Sequence, residues 1–237
     1  MTVGLRDAVR EALRLARVSF QHGREREALE RLQSQRPRLQ AELALVSPEA
    51  LLHHFRSRAP RFFLGFGNPG LTAQLQKKLF PAETGHLLEW AALNLRASSW
   101  PWLASVDAGN WRKDPFSGRV WPLDYHADIS LQTADGSDIR RVWEVNRLGY
   151  FIALSRAYAI TGKEDYAVKI LTQFDSWLEQ NPLGRGPNWS CAMEVALRAM
   201  NLLGVFTICV HAESFTPQHL SRWLQSFEQH VTYIKRI

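Results

Sequence analysis

The sequence predicts an all-α fold of helical hairpins carrying one irregular, tryptophan-rich segment. Between Asp138 and Leu203 three amphipathic stretches follow one another, separated only by Thr161-Gly162 and by the run from Asn181 to Asn188. Elsewhere apolar residues recur mostly at helical spacing, with Ser, Gly and Pro marking the ends. Residues 98–137 alone change character: Trp100, Trp102, Trp111 and Trp121 lie among Pro, Gly, Asp and Ser, a pattern of short strands or irregular loop.

A chain of 237 residues makes one large domain or two small ones. Its 46% hydrophobic content and mean hydropathy of −0.25 suit a soluble globular protein that needs no staple. Cys191 and Cys209 both sit in apolar helical pattern, so they read as buried free thiols, with no metal and no cofactor expected. The basic surplus is local: residues 1–61 hold 12 Arg, no Lys and 7 acids. That charge reads as a solvated helix face, with no nucleic acid as partner. Residues 1–20 carry charges throughout, which predicts no secretory signal, no transmembrane segment and a cytoplasmic chain as written.

Taken in order, residues 3–20 place Val3, Leu5, Val9, Leu13, Ala16 and Phe20 at mostly helical spacing, and residues 24–46 continue until Pro37 interrupts. Such an Arg-rich amphipathic helix suits a membrane surface or the flank of a domain, and packing on the domain is the expectation. Ser47-Pro48 starts a helix, with Ser as N-cap and Pro in the first turn, that fails before Pro60. Residues 61–72 read as a loop, and helices follow over 71–80 and 84–97. The main run predicts helices over 139–160, 164–180, 189–211 and 217–236. This divides the chain into an Arg-rich segment, 1–60, and a main domain, 61–237.

Two polar stripes interrupt apolar helices. Glu194, Arg198 and Asn201 share one face, as do Arg140, Glu144 and Arg147. On a helix apolar nearly all round such a stripe is paired internally or lines a cleft that attracts an acidic ligand. The loop between them, Asn181-Pro182-Leu183-Gly184-Arg185-Gly186-Pro187-Asn188, is built to hold one shape. Asn188 opens the next helix as a cap or points its amide into the cleft, beside Arg185. The loop tryptophans are either platforms for sugar faces or fillers between loop and helices.

These residues also carry a resemblance. Val142-Trp-Glu-Val-Asn-Arg147, Thr161-Gly-Lys-Glu-Asp-Tyr-Ala167, Asn181-Pro182, Gly186-Pro-Asn-Trp189 and Met193-Glu-Val-Ala-Leu-Arg198 with Asn201 resemble the heparinase II/III-type polysaccharide lyases over about residues 90–237. Asp114-Pro115 and Trp121-Pro122 add to it. The resemblance implies an incomplete α/α toroid of helical hairpins, without the β-sandwich that follows in the family. It implies β-elimination on uronic-acid polysaccharides, so an acidic polysaccharide or oligosaccharide is the partner. An Asn at the position of Asn188 would neutralise the uronate carboxylate, with Arg185, Trp189, Arg147 and Trp121 as substrate contacts. Arg140, Glu144, Glu194, Arg198 and Asn201 would form the wall behind. The family's proton-handling Tyr and His fall past Ile237, so the chain alone is expected to be inactive. Family members are often periplasmic or secreted. Two other readings compete: a carbohydrate-binding module without catalysis, and a tetratricopeptide-type scaffold, for which no second copy at a period of about 34 residues is present.

Overall fold

The computed structural model describes residues 2–34, 46–58, 68–96, 103, 106 and 109–236. Pro37, Trp100, Trp102 and most of the loop foreseen at 61–72 lie outside them. Among the described residues there are α-helices but no strands; two isolated β-bridges, Lys113 to Val120 and Tyr125 to Arg185, are the sole extended pairings. The all-α reading is therefore borne out. The helices are α1 (Thr2–Ser34), α2 (Pro48–Ser57), α3 (Pro69–Leu79), α4 (Pro81–Arg96), α5 (Ile139–Asn146), α6 (Tyr150–Thr161), α7 (Glu164–Gln180), α8 (Ala192–Cys209) and α9 (Pro217–Arg236).

Local signals place most of these ends. The Ser47 hydroxyl accepts from Ala50 N at 3.1 Å and so caps α2. Gly162 takes φ +70° and returns its N–H to the Tyr158 carbonyl, which ends α6 where the Gly predicted it. Glu164, in the first turn of α7, accepts from the backbone N–H groups of Glu213 and Ser214 at 3.0 and 3.1 Å, tying that turn to the α8–α9 connection.

One predicted helix is in fact two. The run foreseen over 139–160 breaks between Asn146 and Tyr150, with Leu148 at φ +56°. The reason is packing. Asn146 and Leu148 are both buried, yet residues two apart on a continuous helix point about 200° from one another. A left-handed residue costs about 1–2 kcal/mol but turns both side chains inward. Similarly, the helix foreseen at 189–211 begins as a 3-10 turn, Pro187–Trp189, before α8 starts at Ala192.

α6 is the hub of the packing, touched by α3, α4, α7 and α8, while α8 also packs on α9 and α9 on α2. The two-residue link between α6 and α7 makes that pair a hairpin, the unit predicted from the sequence. Phe151, Leu154, Ala167, Ile170, Phe174, Trp177, Val205, Phe206 and Trp223 form one continuous core between these helices. α2 is pinned from outside: Arg56 donates to the carbonyls of Val210, Ala212 and Phe215 at 2.8, 2.8 and 3.0 Å. By length and composition α8 would cross a bilayer, but 56% of that stretch is buried in the protein.

The irregular segment is locked to the helices by Asp114. Its carboxylate accepts from the backbone N–H groups of Phe116 and Ser117 at 2.8 and 3.2 Å and from that of Asp138, just before α5, at 3.0 Å. Burial raises the carboxyl pKa, and these N–H bonds more than offset it, leaving Asp114 below its ordinary value. Cys191 and Cys209 are free thiols, the second fully buried and pushed up by that burial.

Candidate functional site

The loop that joins α7 to α8 is held by backbone and side chain together. Gly184 and Gly186 adopt φ +73° and +79°, where any other residue is strained. His126 N donates to Gly184 O at 3.0 Å and Gly186 N to Asp124 O at 2.8 Å, so residues 184–186 lie along the 124–126 strip. Trp143 Nε1 donates to Pro187 O at 2.9 Å, and Trp189 Nε1 to Asn181 O at 3.2 Å.

Asn188 sits at the centre of this loop and points inward. Its amide nitrogen donates to Asn181 Oδ1 at 2.7 Å and to Asn146 Oδ1 at 2.9 Å. Trp177 Nε1 donates to the same Asn146 oxygen at 2.9 Å, while the Asn146 amide donates to the carbonyls of Trp111 and Val142 at 2.8 and 2.7 Å. Three asparagines thus knit α5, the end of α7, the loop and the tryptophan-rich segment. Among the described residues no donor reaches Asn188 Oδ1.

Arg198 closes the network from α8. Its Nη2 donates to the Asn188 carbonyl at 3.1 Å and its Nε to His230 Nε2 at 2.8 Å. The guanidinium lies 4.5 Å from the Trp177 ring centre and 5.2 Å from that of Trp189. A guanidinium has no acceptor, so His230 Nε2 must carry the lone pair and Nδ1 the proton, which goes to Ser226 O at 2.7 Å. Burial, with the Arg198 charge second, pushes His230 down to about 3, and burial pushes Arg198 down to about 9. His230 is neutral and Arg198 charged at pH 7.

A pH dependence follows. An unfolded histidine titrates near 6.5, so between that value and about 3 the unfolded chain binds a proton that folded His230 refuses. Stability is complete above the unfolded value and falls as pH drops, by up to about 1.4 kcal/mol per unit from this residue. His126, His211 and His219 are also pushed down, chiefly by burial, and act with the same sign. We expect urea midpoints to fall between pH 7 and pH 5, and the His230→Gln variant, which keeps an acceptor for Arg198, to show a shallower fall. An equal fall in both chains would remove His230 from this account.

The structure corrects several site expectations. Asn188 is 0% exposed, so its amide serves the interior and does not face a cleft. Trp121 and Trp189 are likewise fully buried; they fill the gap between loop and helices and offer no platform to a sugar. The Glu194/Arg198/Asn201 stripe splits. Glu194 takes a two-pronged bond from Arg147, with Nε at 2.6 Å and Nη2 at 2.8 Å, while Asn201 donates to Arg147 O at 2.8 Å. Arg147 also meets Glu144, so two carboxylates hold it and the set braces α5 against α8. Arg198 belongs to the interior network instead. Arg140 stands apart, its side chain 79% exposed and paired with Asp138.

Arg185 is presented to solvent, its side chain 47% exposed and 3.8 Å from Glu30 of α1. Nearby, the end of α7 and the middle of α9 enclose a cleft of about 270 Å³, lined by Glu179, Asn181, Arg222, Gln225, Ser226 and Gln229 among others. Among the described residues no His, Cys, Asp and Glu side chains gather as a metal site.

Sequence reasoning passed over Asn146, Asn181, His126, His230 and Tyr233. Asn146 and Asn181 stood inside quoted motifs, so a signal existed. His230 and Tyr233 gave none beyond their place on an amphipathic helix. The Tyr233 hydroxyl is buried, donates to Trp189 O and lies 3.2 Å from His126 Nδ1; burial pushes it well above its usual range.

Residues 101–237 match the family described as Heparinase II/III N-terminus. A Heparin-sulfate lyase of Pedobacter heparinus is 31% identical over 117 residues, which is 47% of this chain and 18% of that protein. A Heparin-sulfate lyase of Bacteroides stercoris is 26% identical over 133 residues, 47% of this chain and 20% of that protein. The chain therefore spans about a fifth of the curated relatives it matches. The crystal structure of heparan sulfate lyase HepC from Pedobacter heparinus aligns with 79% of this chain and 27% of its own, at 24% identity and a TM-score of 0.45.

Proposed function

This chain belongs to the heparinase II/III N-terminus family, and from that premise we propose that it is the helical, substrate-holding part of a polysaccharide lyase. The substrate class is a uronic-acid-containing polysaccharide, of the heparan type that its relatives' names carry, and the reaction is β-elimination. The family match over residues 101–237 is the observation that carries this reading, because it takes in the whole Asn146–Asn181–Asn188–Arg198 network and the loop that network holds.

β-Elimination needs three things of its protein: charge beside the uronate carboxylate, a base for the adjacent carbon-bound proton, and an acid for the leaving oxygen. The first fits Arg185. A guanidinium binds carboxylate or sulfate in a two-pronged fashion, and its loop is fixed by Gly184, Gly186 and the buried asparagines. Asn188 acts through that loop as a positioning residue. The second and third are not offered to a polymer here, since Tyr233 and His230 are sealed in the interior. That burial also favours the alternative, a carbohydrate-binding module without turnover.

Heparan sulfate and other uronans, followed by the ultraviolet absorbance of unsaturated uronate, separate the two. We expect product from residues 1–237 joined to the remaining part of a family lyase and none from residues 1–237 alone, which bind without cleaving. Arg185→Gln in the active form is expected to lower kcat/KM by about 10–100-fold, the worth of a charge-assisted bond of about 1.5–3 kcal/mol. No product from any form on any uronan leaves the binding module as the better reading.

A further inference from the structure

Helix α1 lies against the same loop that carries Arg185. Its contacts come from Glu25, Arg26, Leu29 and Glu30, spaced as one stripe on a helix. Leu29 is 2% exposed and seats on Gly184, where a Cβ would come within 2.7 Å of Leu29 Cδ1. The missing side chain at Gly184 is what lets α1 approach. Arg26 pairs with Asp128 and stands 4.7 Å over the Tyr125 ring.

The two carboxylates of this stripe fall on nitrogen-bearing side chains of the loop junction. Glu25 Oε1 is 3.7 Å from His126 Nε2, and Glu30 Oε1 is 3.8 Å from Arg185 Nη2. The Tyr233 hydroxyl lies 3.2 Å from His126 Nδ1 and 3.5 Å from Nε2, against the same imidazole. Five residues of helix rise separate Glu25 from Glu30, about 7.5 Å. A strip with His126 at one end and Arg185 at the other is thus covered by carboxylates from the chain itself.

We propose that α1 is a self-blocking strap: with Leu29 seated on Gly184, Glu30 covers the Arg185 guanidinium, and an acidic oligosaccharide displaces it. The inference rests on the reading of Arg185 as a substrate contact. The Glu30–Arg185 contact is long and half exposed, so it is weak and exchangeable, whereas Glu25 and His126 meet in a buried corner; Leu29 supplies the anchor. Deleting α1 would also remove its arginines, so point variants are the cleaner test.

The probe is a heparin-derived octasaccharide, titrated against the whole chain and three variants. Glu30→Gln is expected to tighten binding about threefold, the size of one surface ion pair. Leu29→Ala, which loosens the anchor, tightens it at least as much. Glu27→Gln makes the same charge change on the same helix away from the loop and is expected to have a smaller effect. Arg185→Gln erases the gain from Glu30→Gln. Saturating octasaccharide also speeds tryptic cleavage after Arg26 severalfold. Equal affinity in wild type, Glu30→Gln and Leu29→Ala, or cleavage after Arg26 unchanged or slowed by the sugar, overturns the strap and leaves the proposed function standing. No binding by any form overturns both.

Discussion

Arg198→Ala is expected to lower the unfolding free energy by about 3–5 kcal/mol. Two effects oppose one another. Removing a buried guanidinium relieves the desolvation that holds it down to about 9. Against that, His230 Nε2 and the Asn188 carbonyl lose their donor, two indoles lose the cation stacked on them, and a cavity opens at a site 1% exposed. Each orphaned buried acceptor costs about 1–3 kcal/mol, and a large-to-small change in a core adds about 2 or more. The losses win. In a chain of this size each kcal/mol moves the melting temperature by about 2–4 °C, so calorimetry should show a fall of roughly 6–20 °C. Arg198→Met refills most of the volume and leaves the acceptors orphaned, so it should fall between wild type and alanine. A melting temperature within a degree of wild type for Arg198→Ala would remove the guanidinium from the core network.

Asn188→Ala is the second large effect, and it separates two roles for that amide. Its nitrogen is the donor to Asn181 Oδ1, whereas Asn146 Oδ1 keeps Trp177 as a second donor. The loss is therefore one orphaned acceptor plus a small cavity, about 2–4 kcal/mol. Unfolding in urea is expected to show it as a lower midpoint at unchanged slope. Any lyase activity of a form that carries this chain should fall with the folded fraction and recover on cooling. If instead stability is unchanged while turnover disappears, the amide faces substrate during the reaction and the interior placement is not its working position.

Much of the fold was legible because the signals are local. Ser47-Pro48, Gly162 and Asn181-Pro182 stop or start helices through bonds within a few residues, and α7 runs over Glu164–Gln180 as its apolar stripe requires. The break at Leu148 was not legible. It is forced by the need to bury Asn146 and Leu148 on the same side, and the need for burial comes from α8 and the tryptophan-rich segment.

The candidate site divides in the same way. The Gly- and Pro-rich loop, its Arg185 and the two polar stripes could be named from residue type and spacing, but the pairing of Glu194 with Arg147 across them could not. Nor could the direction of each side chain. Asn188 and Trp189 are polar and amphipathic residues that suit a cleft or an interior equally well, and the choice rests on Asn146, 42 residues away, and Tyr233, 44 residues away. Trp121 went inward for the same reason.

By itself, then, the sequence determined the helical class, most helix ends, the shape-holding loop and the family resemblance, since periodicity, caps and motifs act over one or two turns of chain. Tertiary structure decided that the asparagines, Arg198 and His230 form a sealed network, that Arg185 faces outward, and that α1 lies across it. Burial and hydrogen-bond partnership are set by segments distant in the chain, and a buried polar group goes wherever a partner is found.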